Sequence, residues 1–346
     1  MPGALKATIR ELSYPVGAVV LAFALGALLV AATGYSAGEI YGSLFQGALG
    51  SLENLAWSLQ NATPLIFTGL AVALAFRAGL FNVGAEGQLI VGAFAAAMVG
   101  TGLKGTAADT TLVILPLAVA AAALAGGLWG AIPGYLKARL GVHEVINTIM
   151  LNFVAALLAS YFLTVPGIKE PGSVPQTPAI SGHAVLAPFS FINSYTKLNA
   201  GFILALLCVA VVWVFLRKTS PGFEVRMVGM NPDAATYAGV DVGRATILVM
   251  FLSGALAGLG GAEQVLGVHH HFIKDFWVGL GFTGIAVALV GENHPLGVLA
   301  GALLFGALQN GAAEIDMMTT FPRELILVLQ AIIIFLVASM SLMRRR

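Results

Sequence analysis

Apolar stretches long enough to build a membrane-crossing helix recur along the whole chain. They run at approximately 15–33, 62–77, 86–103, 110–132, 145–165, 199–216, 244–262, 276–291, 295–313 and 322–341. A helix needs about 20 residues to cross the hydrocarbon core, fewer or more with tilt. Charged residues make up only 10% of the chain, against roughly 25% in an average soluble domain, and the mean hydropathy is +0.92. One soluble core cannot hide hydrophobic residues that amount to 58% of 346. The bilayer must therefore serve as solvent. The expected fold class is an all-α polytopic membrane protein of about ten transmembrane helices, forming a single transmembrane domain over residues 1–346.

The formal net charge of +1 offers no basic face for a nucleic-acid polymer. Cys208 is the single cysteine and lies in an apolar run, so neither a disulfide framework nor a Cys-based metal site is expected. The first run, Pro15 to Ala32, follows Lys6 and Arg10. Its length reads as a retained helix rather than a cleaved leader. Ser36 to Leu59 carries Glu39, Gln46, Glu53, Asn54 and Trp57 among apolar residues, which suits an amphipathic interfacial helix, or a re-entrant segment, better than a span.

Charge placement sets an orientation. With ten spans and the N-terminus inside, the inner face receives twelve of the 17 Lys and Arg residues. The outer face receives Lys104, Lys169, Lys197, Lys274 and Arg323. This asymmetry follows the positive-inside rule and puts both termini in the cytoplasm. It also places helices two to five and seven to ten in opposite orientations, as inverted repeats require. The Pro-, Ser- and Gly-rich stretch at about 166–198 becomes an outer loop. The longest polar stretch on the inner side, about 217–244, contains a short helix over Pro232 to Ala238, because Asn231 is a good N-cap and Pro232 fits the first helical position.

Polar residues in the apolar zone fall into two clusters. Arg77 to Phe94, RAGLFNVGAEGQLIVGAF, is a Gly-rich break holding Asn82, Glu86 and Gln88. Such breaks are tolerated only inside protein or beside a watery cavity, and an intramembrane carboxylate is a functional candidate. Glu86 equally suits a cap for the helix beginning there, or a partner for Arg77. Gly141 to Asn152, GVHEVINTIMLN, puts Glu144, Asn147, Thr148 and Asn152 at helical i, i+3 and i, i+4 spacings. That stripe serves either a passage or hydrogen bonding between helices. Both clusters are expected where apolar helices meet the cytoplasm, so Asn82, Glu86, Gln88, Glu144, Asn147 and Asn152 are candidates for a translocation path or its gate.

Other motifs exclude chemistry. His143-Glu144 lacks the second His of the HExxH zinc pattern. His269, His270 and His271 point in different directions, no carboxylate or Cys apart from Glu263 and Asp275 lies near enough to complete a ligand set, and the three read as a solvated outer loop, so no metal site is expected. Gly254/Gly258 and Gly297/Gly301 have the spacing of close helix packing. No GxxxxGK[ST] loop occurs, so the chain does not bind ATP in the P-loop manner. No G-x-S-x-G occurs either, and no catalytic residues are assigned.

The segments AFRAGLFNVGAEGQ, GVHEVINTIMLN, GMNPDAATYAGVDV and GFTGIAVALVGENHPLGVLAGALLFGAL resemble the permease family of nucleoside, ribose and branched-chain amino-acid ABC importers. The first two are most similar to its nucleoside branch, whose systems use a basic-membrane-protein-type binding lipoprotein. The resemblance covers about Leu74 to Phe305. It implies a fold similar to the vitamin B12 importer class and two related permeases side by side. It also implies an ATPase carrying two nucleotide-binding domains with ATP-Mg, an extracytoplasmic substrate-binding protein, and residence in the bacterial inner membrane. No cofactor is expected on this chain itself. In the family, the loop matching Gly229 to Val242 supplies the coupling helix that enters the ATPase. That assigns Gly229, Asn231, Pro232, Ala234, Ala235, Tyr237, Ala238 and Gly239 to coupling. An ion-coupled secondary transporter of a small polar solute is the alternative, although it usually needs coupling carboxylates at membrane depth. A membrane-embedded enzyme would need paired acids, a metal set or a nucleophile, and none is visible.

Overall fold

The computed structural model describes residues 20–190 and 196–318, with a few isolated positions outside those ranges. The expected tenth helix at 322–341 and the terminal charges Lys6, Arg10 and Arg323 lie outside the described residues or at isolated positions. The elements are α1 (Val20–Ala32), α2 (Ala37–Leu49), α3 (Leu52–Arg77), α4 (Ala85–Gly102), α5 (Thr111–Leu140), α6 (Glu144–Phe162), α7 (Gly201–Lys218), α8 (Ser220–Met230), α9 (Pro232–Tyr237), α10 (Val242–Glu263), α11 (Leu280–Val290) and α12 (Pro295–Met318). Among the described residues there is no strand, only isolated bridges.

Among the described residues, six helices are long and apolar enough to cross a membrane: α3, α5, α6, α7, α10 with its continuation to His269, and α12. α1 and α11 are apolar but shorter. The all-helical membrane class therefore holds, whereas the finer count of ten spans goes beyond these six. The chain divides into two compact units, 1–61 with 303–346, and 62–302.

Two expected boundaries change. Ser36 to Leu59 is not one interfacial helix. Ser36 caps α2 by accepting from the Glu39 amide, and the chain breaks at Gly50 and Ser51. Ser51 Oγ then accepts from the Asn54 amide at 3.0 Å. Residues 52–59 are thus the first turns of α3, which starts ten residues before the expected 62. In this first unit, the Asn310 amide nitrogen donates to the carbonyls of Gly47 (2.7 Å) and Asn54 (2.9 Å), and Ser58 donates to Ala48 O at 2.7 Å. Such bonds satisfy polar groups that an apolar setting would penalise by several kcal/mol each.

The second unit is built on α4, α5 and α10. Their contact is a glycine seam. A Cβ on Gly254 would collide with the Gly126 carbonyl, one on Gly258 with that of Ala122, and one on Gly261 with that of Leu89. Lipid tails give helices no hydrophobic reason to associate, so backbones must approach closely enough for dispersion and polar contacts to hold them. The spacing of Gly254 and Gly258 is used in that way. α5 and α6 show the opposite pattern: only 28% and 22% of their most apolar windows are buried. Their outward residues, among them Leu124, Leu128, Phe153 and Leu157, suit a bilayer rather than a core.

At the end where α7 begins, the stretch about 166–198 is a folded cap, with 191–195 outside the described residues. Thr177, Ile180, Ser181, Ala184 and Leu186 are buried. Backbone bonds join Thr177 to Phe272, Ile180 to His270 and Leu186 to Leu266 at 2.9–3.0 Å. The histidines are accordingly not a freely solvated loop. His269 ends a π-helical turn (Gln264–His269) that extends α10, His270 closes it at φ 60°, and His271 Nδ1 lies 2.9 Å from the Thr177 carbonyl. No cluster of potential metal ligands occurs among the described residues.

Candidate functional site

Three consecutive features of residues 78–88 set the site's geometry. α3 stops at Arg77, the chain turns back through Gly79, and α4 begins only at Ala85. The intervening backbone is satisfied by side chains. Asn82 is fully buried, and its amide nitrogen donates to Ser253 Oγ at 2.8 Å and to Gln88 Oε1 at 3.0 Å. Its carbonyl oxygen accepts from the Gly84 amide at 2.9 Å and from Gln88 Nε2 at 3.2 Å. Ser253 passes the connection on by donating to the Ala71 carbonyl at 2.6 Å.

α6 closes the other side. Asn152 donates to the Val83 carbonyl at 2.9 Å and accepts from the Gly87 amide at 2.8 Å. Thr148, one turn earlier, is buried against Gly84. The two sequence clusters thus meet, and Asn82, Gln88 and Asn152 pair with each other's segments. Their position differs from the expected helix ends. Ser253 lies halfway along α10, and Ala71 precedes the end of α3 by six residues, so the network is recessed by roughly 9 Å at 1.5 Å per residue.

Glu86 has a different partner from those expected. α4 has no side-chain cap of its own. The Glu86 carboxylate instead accepts from the Gly279 amide at 3.1 Å and also meets the backbone amides of Gly281 and Phe282. These are the opening amides of α11, whose own N-cap position offers no side chain. A carboxylate there satisfies orphan N–H groups and opposes the positive end of the helix dipole. α4 and α11 both begin inside the unit, and Glu86 ties their starts together. Arg77 Nε donates to the Asn293 carbonyl at 2.8 Å.

Glu144 and Asn147 stand apart from this network. Glu144 forms an ion pair with Lys137 at 2.9 Å, closing the α5–α6 corner where Gly141 turns the chain at φ 66°. Asn147 is partly buried, and its amide nitrogen has no hydrogen-bond partner among the described residues.

The second site lies beyond the other end of α7. Asn231 Oδ1 accepts from the amides of Asp233 (2.9 Å) and Ala234 (3.0 Å), Pro232 occupies the first helical position, and Gly239 ends the turn at φ 84°. The expected short helix is present as α9. Ala235 alone is buried in it, packed with Val228 and Ala245. Tyr237 is 95% exposed, and Asn231, Pro232, Ala234, Ala238 and Gly239 are exposed with it. Gly229 sits on α8, pressed against the Arg77 carbonyl. α8 itself was not expected from the sequence, although Thr219 Oγ1 accepting from the Gly222 amide at 3.1 Å and Pro221 in the first turn mark its start.

Sequence reasoning also missed Ser253, and it weighed Glu263 only as a neighbour of the histidines. Glu263 is buried, accepting from Asn199 Nδ2 at 3.0 Å and Gln264 Nε2 at 2.7 Å. Asn199 also accepts from the Gly201 amide at 2.8 Å, so this carboxylate locks the start of α7 to the π turn. The available signal was a Glu-Gln pair at the end of an otherwise apolar helix.

Comparison with known proteins adds independent findings. A family model described as branched-chain amino acid transport system / permease component matches residues 54–338. The guanosine ABC transporter permease protein NupP of Bacillus subtilis (strain 168) is 41% identical, over 96% of this chain and 94% of that protein. The nucleoside ABC transporter permease protein NupB of Lactococcus lactis subsp. cremoris (strain MG1363) is 37% identical over 95% and 91%. The glucose ABC transporter permease protein TsgB13 of Haloferax volcanii is 36% identical over 96% and 88%.

Proposed function

The chain belongs to the family described as branched-chain amino acid transport system / permease component, and from that premise we propose that the solute it passes inward is a nucleoside. It is a membrane-embedded permease component of an ABC transporter, and such a component works with an ATPase and a substrate-binding protein. Two relatives named for guanosine or nucleoside transport, matched over nearly their whole length, support the solute. They also disfavour the ion-coupled secondary transporter.

α9 carries the mechanistic reading. It is a rigidly capped helix held to the bundle by Ala235 and open to solvent on its remaining sides, a shape that fits a cleft in a partner protein. ATP-Mg binds and is hydrolysed on that partner, an ATPase with two nucleotide-binding domains. Pushing on α9 is transmitted through α8 and α10 to the bundle. A second, related permease stands alongside in the bacterial inner membrane, in an arrangement similar to the vitamin B12 importer class. Both termini are cytoplasmic, residues 1–346 act as one permease domain, and this chain binds no cofactor.

The route runs beside the recessed starts of α4 and α11. Asn82, Gln88 and Asn152 hold that break in place, Glu86 ties the two helix starts, and Glu144 and Asn147 lie toward the inner gate. The unpartnered amide of Asn147 supports this placement, because a buried donor without an acceptor is costly unless a solute or water meets it.

The deciding experiment is uptake of labelled guanosine into cells carrying the chain and its partner subunits, competed with other nucleosides and with glucose. Nucleosides should compete and glucose should not. Competition by glucose alone would assign a sugar, as the relative from Haloferax suggests.

A further inference from the structure

Arg77, Trp213, Arg217, Arg226 and His294 line a cleft of about 170 Å3 at the end of the second unit that carries α8. Arginines thus converge from the end of α3, the end of α7 and the middle of α8. Arg226 Nε is buried and donates to nothing among the described residues. Its guanidinium also lies 5.8 Å from the centre of the Phe223 ring. Arg217 sits over the Trp213 ring at 5.2 Å, with its Nη2 3.5 Å from His294 Nε2. Arg77 is engaged with the Asn293 carbonyl and adds its charge. Partial burial, then the charges of Arg217 and Arg77, hold the His294 imidazole below its usual pKa, as a strongly positive cleft would. A buried guanidinium nitrogen without an acceptor is an expensive arrangement that an arriving anion would repair.

We propose that this cleft holds the phosphate group of an anionic phospholipid, with its acyl chains lying along α7. Guanidinium forks match phosphate oxygens in pairs. The helix leading to the cleft is apolar and long enough to cross a membrane. Leu206, Ala210, Trp213 and Arg217 follow one another at i, i+4, i+7 and i+11 along one stripe of it. Leu206 and Ala210 are exposed, so an apolar track runs straight into the arginines. Trp and Arg are the residues that sit at the headgroup level of a bilayer. Basic pockets between membrane helices on the cytoplasmic side take anionic headgroups. A soluble phosphate would use the arginines and leave the track without purpose.

The test uses the full-length chain in neutral detergent, titrated with phosphatidylglycerol, phosphatidylcholine or glycerol phosphate and read by native mass spectrometry. Phosphatidylglycerol should be retained about tenfold over phosphatidylcholine. Arg217→Gln and Arg226→Gln should each weaken its retention roughly fivefold. Arg226→Lys should retain most binding, and Lys218→Gln, an equal loss of charge outside the cleft, should change nothing. Equal retention of the two lipids, an equal loss in Lys218→Gln, or glycerol phosphate binding as tightly as the lipid would each overturn the proposal. If Arg226→Gln does not insert, phenylglyoxal modification of the unaltered protein decides the matter. Phosphatidylglycerol vesicles should protect Arg226. Protection by an added ATPase but not by vesicles would assign the cleft to a partner's acidic side chain and overturn the lipid.

Discussion

Glu86 Oε2 accepts the amide hydrogen of Gly279 at 3.1 Å, across 193 residues of chain. One helix thereby receives its N-terminal cap from the first turn of another. Glu86→Ala should cost about 1–2 kcal/mol, the typical value of a lost cap with its dipole interaction. Glu86→Gln keeps an acceptor without the charge and should cost less. Thermal unfolding of the purified chain measures both, and an unchanged midpoint in Glu86→Ala would refute the cap.

The glycine seam predicts a steep dependence on one methyl group. Gly254→Ala drives a Cβ into the Gly126 carbonyl and should destabilise by about 1–3 kcal/mol, the range for overpacking. Gly102→Ala meets nothing within 4 Å and should be neutral. Equal stability of the two variants would mean that the helices part without penalty.

α9 separates surface from anchor. Ala234→Glu and Tyr237→Ala alter exposed positions and should abolish ATPase association and uptake at normal protein levels. Ala235→Glu puts a charge at a fully buried position and should also expose the segment to protease. Normal co-purification of the ATPase with the Ala234→Glu, Tyr237→Ala double variant would remove α9 from the coupling role.

Orientation follows from labelling in a Cys208→Ser background. Tyr237→Cys should react with an impermeant maleimide only from the cytoplasmic side, and Lys169→Cys only from outside. The reverse pattern would invert the topology.

His294 gives a pH dependence in the lipid-free protein. Its folded pKa is depressed, first by partial burial and then by Arg217 and Arg77, while Arg226 lines the same cleft. The unfolded state takes up the proton first as pH falls, near the ordinary value of about 6.5. The stabilising effect of the neutral imidazole is therefore full above that value and is lost as pH drops from there toward the folded pKa. The unfolding midpoint should fall between about pH 7.5 and 5.5, with a smaller fall in His294→Gln. An equal fall in both proteins would place the titration elsewhere.

The sequence by itself determined the solvent, the helical class and the short capped helix at Pro232. Each depends on neighbouring residues: apolar run length against bilayer thickness, or a cap contacting the amides two and three positions on. The polar residues Asn82, Gln88 and Asn152 stood out for the same reason, since isolated amides in apolar runs are costly. Their partners were decided by tertiary structure. Ser253 lies 171 residues from Asn82 and Val83 lies 69 from Asn152, and nothing local says which carbonyl or amide will satisfy a buried group. The recessed start of α4, the π turn after Glu263 and the folded cap over 166–190 are likewise products of packing. In a bilayer the backbone's polar groups must be satisfied inside the protein, and only the assembled helices determine which partner is within reach.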